Sequence, residues 1–212
     1  MNVTIFTGAG ISSESGVPLF RGGNSALWDK YDMSVVSTAD GWKQDCLAYT
    51  SFWREAERQL LSGQYKPSKA HRIIADWEKA TKGFKLITTN VDTLHEEAGS
   101  ADPIKIHGDI SKKGQTIHCR DGSKYRCPDV VLFGHPKKRQ DEMWEAIAQA
   151  DLFVVVGSSL SIAGDSTIIF NAKDQGARTV EINPNPTCHP AFDMVIPKSA
   201  SIGLHELRRI LS

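Results

Sequence analysis

His107 stands before a glycine at the end of a predicted strand, and Asn90 and Asp92 stand just beyond the end of another. An imidazole titrates near neutrality and can take a proton from a hydroxyl. A strand-end histidine can also do no more than hydrogen-bond backbone, and either Asn90 or Asp92 can simply cap the helix that follows. Upstream, Val3-Thr4-Ile5-Phe6-Thr7 breaks into Gly8-Ala9-Gly10 and then into Ser12-Ser13-Glu14-Ser15, which can start a helix. A Rossmann-type sheet presents backbone N–H groups and a helix N-terminus to a pyrophosphate in this way. The common fingerprint would put its third glycine at position 13, where Ser13 stands, and the next glycine is Gly16. Gly-Ala-Gly alone is a weak signal.

These residues need a sheet to hold them. Buried-strand patterns recur at Val3–Thr7, Lys85–Thr88, Ile104–His107, Val130–Phe133, Leu152–Val156 and Arg178–Ile182. Helical patterns cover roughly Ser68–Ala80, Asp92–Glu97, Arg139–Ala150 and Asp165–Gln175, with a last helix near Ser201–Leu211. Leu152-Phe-Val-Val-Val156 is apolar throughout, as a strand covered on both faces should be. Strands alternating with helices predict an α/β fold with a doubly wound, Rossmann-like, mostly parallel sheet. Two stretches break the rhythm: residues 24–66, helical pieces rich in Trp and Tyr, and the polar residues 109–128. They are expected to form a small module on a single domain spanning 1–212, with the sheet part at about 1–23, 67–108 and 129–212. Five strand ends carry polar residues or glycine: Thr89-Asn90-Val91-Asp92, His107-Gly108, Phe133-Gly134-His135, Gly157-Ser158-Ser159 and Asn183. Ligands in such folds sit beyond the carboxyl ends of the strands, so a cleft between sheet and module is the expected site.

The chain has 212 residues, enough for a sizeable core, and its 25 Lys plus Arg balance 25 Asp plus Glu. No overall basic field draws in nucleic acid or anionic lipid, and neither partner is expected. No leader or long apolar segment is visible, and Cys46, Cys119, Cys127 and Cys188 are scattered. Scattered cysteines suit reduced thiols and a cytoplasmic location.

Gly8-Ala-Gly-Ile-Ser-Ser-Glu-Ser-Gly-Val-Pro-Leu-Phe-Arg-Gly22 resembles the GAGISxxSGIPDFRG of the sirtuins, the NAD-dependent protein deacylases. Thr89-Asn-Val-Asp-Thr-Leu-His95 resembles TQNIDGLH, His107-Gly108 the HG of the catalytic histidine, and Pro128–His135 PDVVxFGE. Gly157-Ser-Ser-Leu160 resembles GTSL, and Asn183 fits a later IN position. The resemblance spans nearly the whole chain in order.

It implies that NAD, as co-substrate, is cleaved at the nicotinamide–ribose bond while the acyl-lysine carbonyl oxygen attacks the ribose carbon. Nicotinamide, free lysine and acyl-ADP-ribose result. By the same resemblance His107, Asn90 and Asp92 are catalytic: His107 takes a proton from a ribose hydroxyl, Asp92 with the Val91 backbone holds the carboxamide, and Asn90 positions ribose hydroxyls and a water. Cofactor-binding positions are Gly8, Ala9, Gly10, Val17, Phe20, Arg21, Thr89, Val91, Gly157, Ser158, Ser159 and Asn183. Phe20 would cover the nicotinamide pocket, and Arg21 would anchor a phosphate or the loop. Val131, Phe133 and Gly134 would bind the acyl-lysine protein or peptide as an added strand, with Phe133 on the acyl-lysine tunnel.

The chain departs from the family pattern at Leu19, Thr89, Ser158 and His135, in place of Asp, Gln, Thr and Glu. Sirtuins usually place two C-x-x-C pairs between HG and PDVV, whereas here the segment holds only Cys119 and Cys127. Two thiolates do not close a structural zinc site, so no metal is expected. Sirtuins that prefer acidic acyl groups carry Tyr-x-x-Arg where this chain has Trp53 and Ala56, which points to neutral acyl groups. Readings left open are an ADP-ribosyltransferase or NAD hydrolase, and a non-catalytic NAD or ADP-ribose sensor.

Overall fold

The computed structural model describes residues 1–18, 31–160 and 167–211. In chain order its elements begin with β1 (Val3–Thr7), α1 (Ala9–Ser13), α2 (Met33–Val36), α3 (Gly41–Gln44), α4 (Cys46–Leu60) and α5 (Lys69–Ala80). Then come β2 (Phe84–Thr88), α6 (Leu94–Ala98), β3 (Ile104–Lys105), β4 (Gly108–His118), β5 (Lys124–Val130) and α7 (Gln140–Ala148). The chain ends with β6 (Leu152–Val156), α8 (Thr167–Asp174), β7 (Arg178–Ile182), β8 (Met194–Ile196) and α9 (Ala200–Leu211).

Six of these strands make one parallel sheet in the order β3-β2-β1-β6-β7-β8. β1 lies at its centre, with Ile5 opposite both Leu86 and Val154. Strand side chains alternate between two cores. Val3, Ile5, Leu86, Val154 and Val156 pack under Ile74 and Trp77 of α5 and Leu204 and Leu207 of α9. Phe6, Ile87, Phe153 and Val155 pack under Met143 and Ile147 of α7 and Ile168 and Ile169 of α8. Each such fully buried side chain is worth about 1.5–3 kcal/mol, so this double layer holds the strand ends in place. Sheet order reverses between β1 and β6, which makes the loops after these two strands a topological switch point.

The aromatic-rich and the polar excursion meet. Tyr49, Phe52, Trp53 and Ala56 of α4 share a third core with Ile110 and Ile117 of β4, Tyr125 and Cys127 of β5, and Leu132. α4 begins at Asp45, whose carboxylate accepts the Ala48 amide at 2.9 Å.

Several expectations are corrected. The polar stretch after His107 forms the antiparallel hairpin β4–β5. The strand expected at Val130–Phe133 ends at Val130, and only an isolated bridge joins Thr38 to Phe133. The strand expected at Ile104–His107 stops at Lys105, because Gly108 turns the chain out of the sheet at a φ of +88°. A Cβ there would lie 2.1 Å from the Asp129 carbonyl oxygen, so glycine is required. Met194–Ile196 adds an edge strand that the sequence did not signal. Among the described residues no helix is long and apolar enough to cross a membrane.

The thiols differ as well. Cys46 and Cys119 form a disulfide with a Cα–Cα distance of 5.8 Å, while Cys127 and Cys188 are free. The partners lie 73 residues apart, and only the shared core of the two excursions brings them together. Closing a loop of that length is worth about 4 kcal/mol in the chain-entropy view, and measured values run at about 2–4 kcal/mol. Cys46→Ser, or reduction, is therefore expected to lower the urea midpoint by the equivalent of about 2 kcal/mol or more. Identical unfolding curves with and without reductant would show that the cross-link does not stabilise the fold.

Candidate active site

The switch point is built from backbone against backbone. The Gly8 amide donates to the Val156 carbonyl at 3.0 Å, and the Gly10 amide to the Gly157 carbonyl at 2.8 Å. A Cβ on Gly8 would come within 2.7 Å of the Gly157 carbonyl oxygen and the Ser158 Cα, and one on Gly10 within 2.8 Å of Gly157. Gly157 itself sits at a φ of +60°. Since the Gly8 and Gly10 amides are used inside the fold, these glycines contribute close approach rather than donors for an anion. The missing third glycine also has a reason: that residue normally packs a long helix on the strand. Here α1 is five residues long, and the chain turns away at Gly16.

The loop after β2 locks onto this point through Ser12. The Asn90 side-chain amide donates to the Gly8 carbonyl and to Ser12 Oγ, both at 3.1 Å. Ser12 Oγ in turn donates to Asp92 Oδ2 at 2.8 Å. Asp92 Oδ1 accepts the Leu94 amide at 3.1 Å, so Asp92 tethers the start of α6 while remaining part of the loop. Burial pushes the Asp92 carboxyl above its ordinary value, against the Leu94 amide, the Ser12 hydroxyl and Lys105.

Behind the loop the polar groups continue inward. Thr7 Oγ1 donates to Thr88 Oγ1 at 2.8 Å, and Thr88 Oγ1 accepts the Asn90 amide at 3.0 Å. His95 Nε2 lies 3.0 Å from Thr7 Oγ1, with the His71 ring 4.7 Å from its own, centroid to centroid. With the Thr7 hydroxyl committed to Thr88, His95 carries its proton on Nε2. Burial keeps both imidazoles uncharged near neutrality.

The remaining candidates fall around these two loops. Thr89 lies alongside, its amide on the Thr7 carbonyl at 3.0 Å, and the Val17 amide reaches the Ser12 carbonyl at 3.2 Å. Ala9 is half-buried in the first turn of α1. The Val91 carbonyl accepts the Ile110 amide at 2.9 Å, which ties the loop to the hairpin. His107, half-buried in the turn between β3 and β4, accepts the Val131 amide on its carbonyl at 2.8 Å. Ser158 Oγ accepts the Leu160 amide at 3.2 Å, and Asn183 Nδ2 donates to the Ser158 carbonyl at 3.0 Å. Ser159 is exposed beside them. Phe133 and Gly134 stand further out: Phe133 is 49% exposed and its backbone is bonded to Ser37 and Ala39 of the small module. Phe20 and Arg21, with Leu19, lie outside the described residues.

Two participants went unassigned in the sequence reading. Ser12 sits inside the glycine motif, where its hydroxyl was a usable signal. Lys105 is a lysine in an apolar strand two residues before His107, and its buried ammonium donates to the Asp92 carbonyl oxygen at 2.7 Å. The zinc question has a structural answer in the donor set. Cys119 is bonded to Cys46, Cys127 is buried beside Tyr49, and no group of three or more His, Cys, Asp or Glu converges among the described residues. These residues do not fit a closed tetrahedral zinc site.

A parallel, doubly wound sheet whose switch point is narrowed by glycines, flanked by an amide–carboxylate loop and a histidine in the turn after β3, defines a nucleotide-binding α/β protein with a small second lobe. The sequence profile of the Sir2 family matches residues 8–125 and 111–164. The chain is 35% identical over 213 residues to the NAD-dependent protein deacetylase of Oceanobacillus iheyensis, covering 91% of this chain and 88% of that one. It is 37% identical over 220 residues to the NAD-dependent protein deacylase 2 of Archaeoglobus fulgidus, covering 92% and 85%. Among solved structures it superposes on a Sir2 enzyme with a TM-score of 0.81 at 35% identity, covering 99% of this chain and 93% of that one. A Sir2 homologue in complex with NAD gives 0.84 at 26% identity, covering 100% and 91%. The chain belongs to the Sir2 family.

Gly8→Ala tests the close approach. The added methyl group meets backbone that cannot yield, so a loss of about 1–3 kcal/mol in unfolding free energy is expected, together with weakened nucleotide binding. Unchanged stability and binding would contradict the packing described.

Proposed function

We propose that this chain is an NAD-dependent protein-lysine deacylase, which cleaves NAD to nicotinamide and passes the acyl group of a modified lysine to ADP-ribose. The observation that carries this reading is the junction at Ser12, through which the Asn90–Asp92 loop grips the glycine-lined switch point. It is supported by relatives named for this activity in a bacterium and an archaeon.

In this reading the space above Gly8, Gly10 and Gly157 takes the pyrophosphate, and Ser158, Ser159 and Asn183 face the adenosine ribose. Asp92 and the Val91 backbone hold the carboxamide, and Asn90 orients ribose hydroxyls. His107 then accepts a proton from a ribose hydroxyl. Holding two reactants in register and excluding water supply most of the acceleration. The roles of Phe20 and Arg21 rest on their place in the sequence motif. An extended acyl-lysine peptide lies along Val131–Gly134, held by main-chain bonds. One edge of that segment is already taken by Ser37 and Ala39. Balanced charge, with no overall basic field to draw the chain to nucleic acid or anionic lipid, supports a cytoplasmic enzyme acting on acylated proteins.

Incubation with NAD and an acetyl-lysine peptide should yield nicotinamide and acetyl-ADP-ribose, and His107→Ala should reduce turnover about 100-fold or more. Free ADP-ribose in the absence of peptide would instead mark an NAD hydrolase, and binding without turnover a sensor.

Acyl preference follows from α4. Trp53 is buried with its indole N–H on the Val36 carbonyl at 3.0 Å, and Ala56 is buried beside it. The nearby cations are engaged elsewhere: Arg54 stacks on Tyr125 at 5.0 Å, and Arg58 pairs with Glu55 at 2.6 Å. Acetyl-lysine is therefore expected to be cleaved faster than succinyl-lysine in the same peptide, and the reverse order would refute the assignment.

A further inference from the structure

Lys105 ends β3 two residues before His107, and its side chain is 8% exposed. Besides the Asp92 carbonyl oxygen at 2.7 Å, its Nζ meets Glu96 Oε1 at 2.6 Å and Asp109 Oδ2 at 3.3 Å. One ammonium thus joins the loop after β2, helix α6, the end of β3 and the start of β4. Asp109 also accepts the Ser111 amide at 2.9 Å and the Ser111 hydroxyl at 2.6 Å, with the exposed Lys112 at 4.0 Å.

Resting on the reading above, we propose that Lys105 is a positioning residue of the NAD site, fixing the carboxamide-holding loop relative to the strand end that carries His107. Its bond to the Asp92 main chain sets where the loop stands, and its two carboxylate partners set where the ammonium stands. Without it, Glu96 and Asp109 would lose the buried cation between them and the Asp92 carboxyl the positive charge nearest it, which disfavours ionisation. The same charges act on the Asp92 side chain: Lys105 favours its ionised form, and Glu96 opposes it. Acting on that side chain are the Ser12 hydroxyl on α1, the Leu94 amide and Glu96 on α6, and Lys105 at the end of β3, which in turn meets Asp109 on β4.

The opposite signs provide the test. Affinity for a non-hydrolysable carbocyclic NAD analogue is measured by calorimetry on the full chain across the acid and neutral range. Lys105→Met should raise the pH at which affinity is lost by on the order of one unit, and Lys105→Arg should largely restore it. Glu96→Gln should lower that pH, because the carboxylate it removes disfavours ionised Asp92. General destabilisation would move both in the same direction; protonation of His71 is common to all the proteins, and because Lys105 also holds His95 down, the Lys105→Met limb is read only together with that of Glu96→Gln. Opposed displacements support the proposal, and if Lys105→Met does not fold, the direction for Glu96→Gln decides. Coincident limbs, or displacement of both variants in one direction, overturn it. Nicotinamide release by the unsubstituted chain with NAD and acetyl-lysine peptide is followed in parallel. Release with coincident limbs removes the role of Lys105 and leaves the deacylase reading intact. No release with opposed limbs removes the deacylase reading and leaves Lys105 holding the loop.

Discussion

Everything in this molecule is arranged around a place where two loops touch with no side chains between them. Gly8 and Gly10 meet Gly157 at distances that no Cβ could occupy. That contact closes the sheet at the point where its winding reverses, and it needs rigid strands on both sides. The central strands β1 and β6 provide them, buried throughout. A junction fixed in this way is main chain against main chain, so it has no side-chain rotamers to reorganise.

The loop proposed to carry the chemistry is held by a second device, a belt of buried polar contacts running from His95 through Thr7, Thr88 and Asn90 to Ser12, Asp92 and Lys105. Buried hydroxyls and amides are costly when unpaired, so such a belt specifies one loop conformation. The small module is tied to this belt where the Ile110 amide donates to the Val91 carbonyl. Its aromatic core and the Cys46–Cys119 cross-link do the tethering for which many small lobes use a metal.

The sheet was legible because its strands are apolar runs with glycine or polar ends. Leu152–Val156 is a clear case, and the helix boundaries fell within a few residues of those observed. Gly8, Gly157, Asn90, Asp92 and Asn183 were legible as members of one rim because parallel strands send their ends to the same edge. The hairpin was not, since β4 carries a long, mostly exposed polar stretch in its middle and its pairing with β5 slips register twice. Val130–Phe133 misled for the opposite reason: the run is apolar, yet Leu132 feeds the small module's core while Phe133 faces solvent. The cysteine pairing and the contacts of Lys105 depend on tertiary neighbours far away in sequence, and no local pattern announces them.

The paired imidazoles behind the cleft have a consequence for the molecule as a whole. Burial holds His71 down to about 4, and His95 well below its ordinary value, whereas both would titrate near 6.5 in an unfolded chain. Below that value the unfolded chain takes up protons that the folded one refuses, so acidification favours unfolding. Stability from this source is complete above about pH 6.5 and is drained as the pH falls toward 4. The protein therefore carries an acid limit of its own, to which two buried rings contribute.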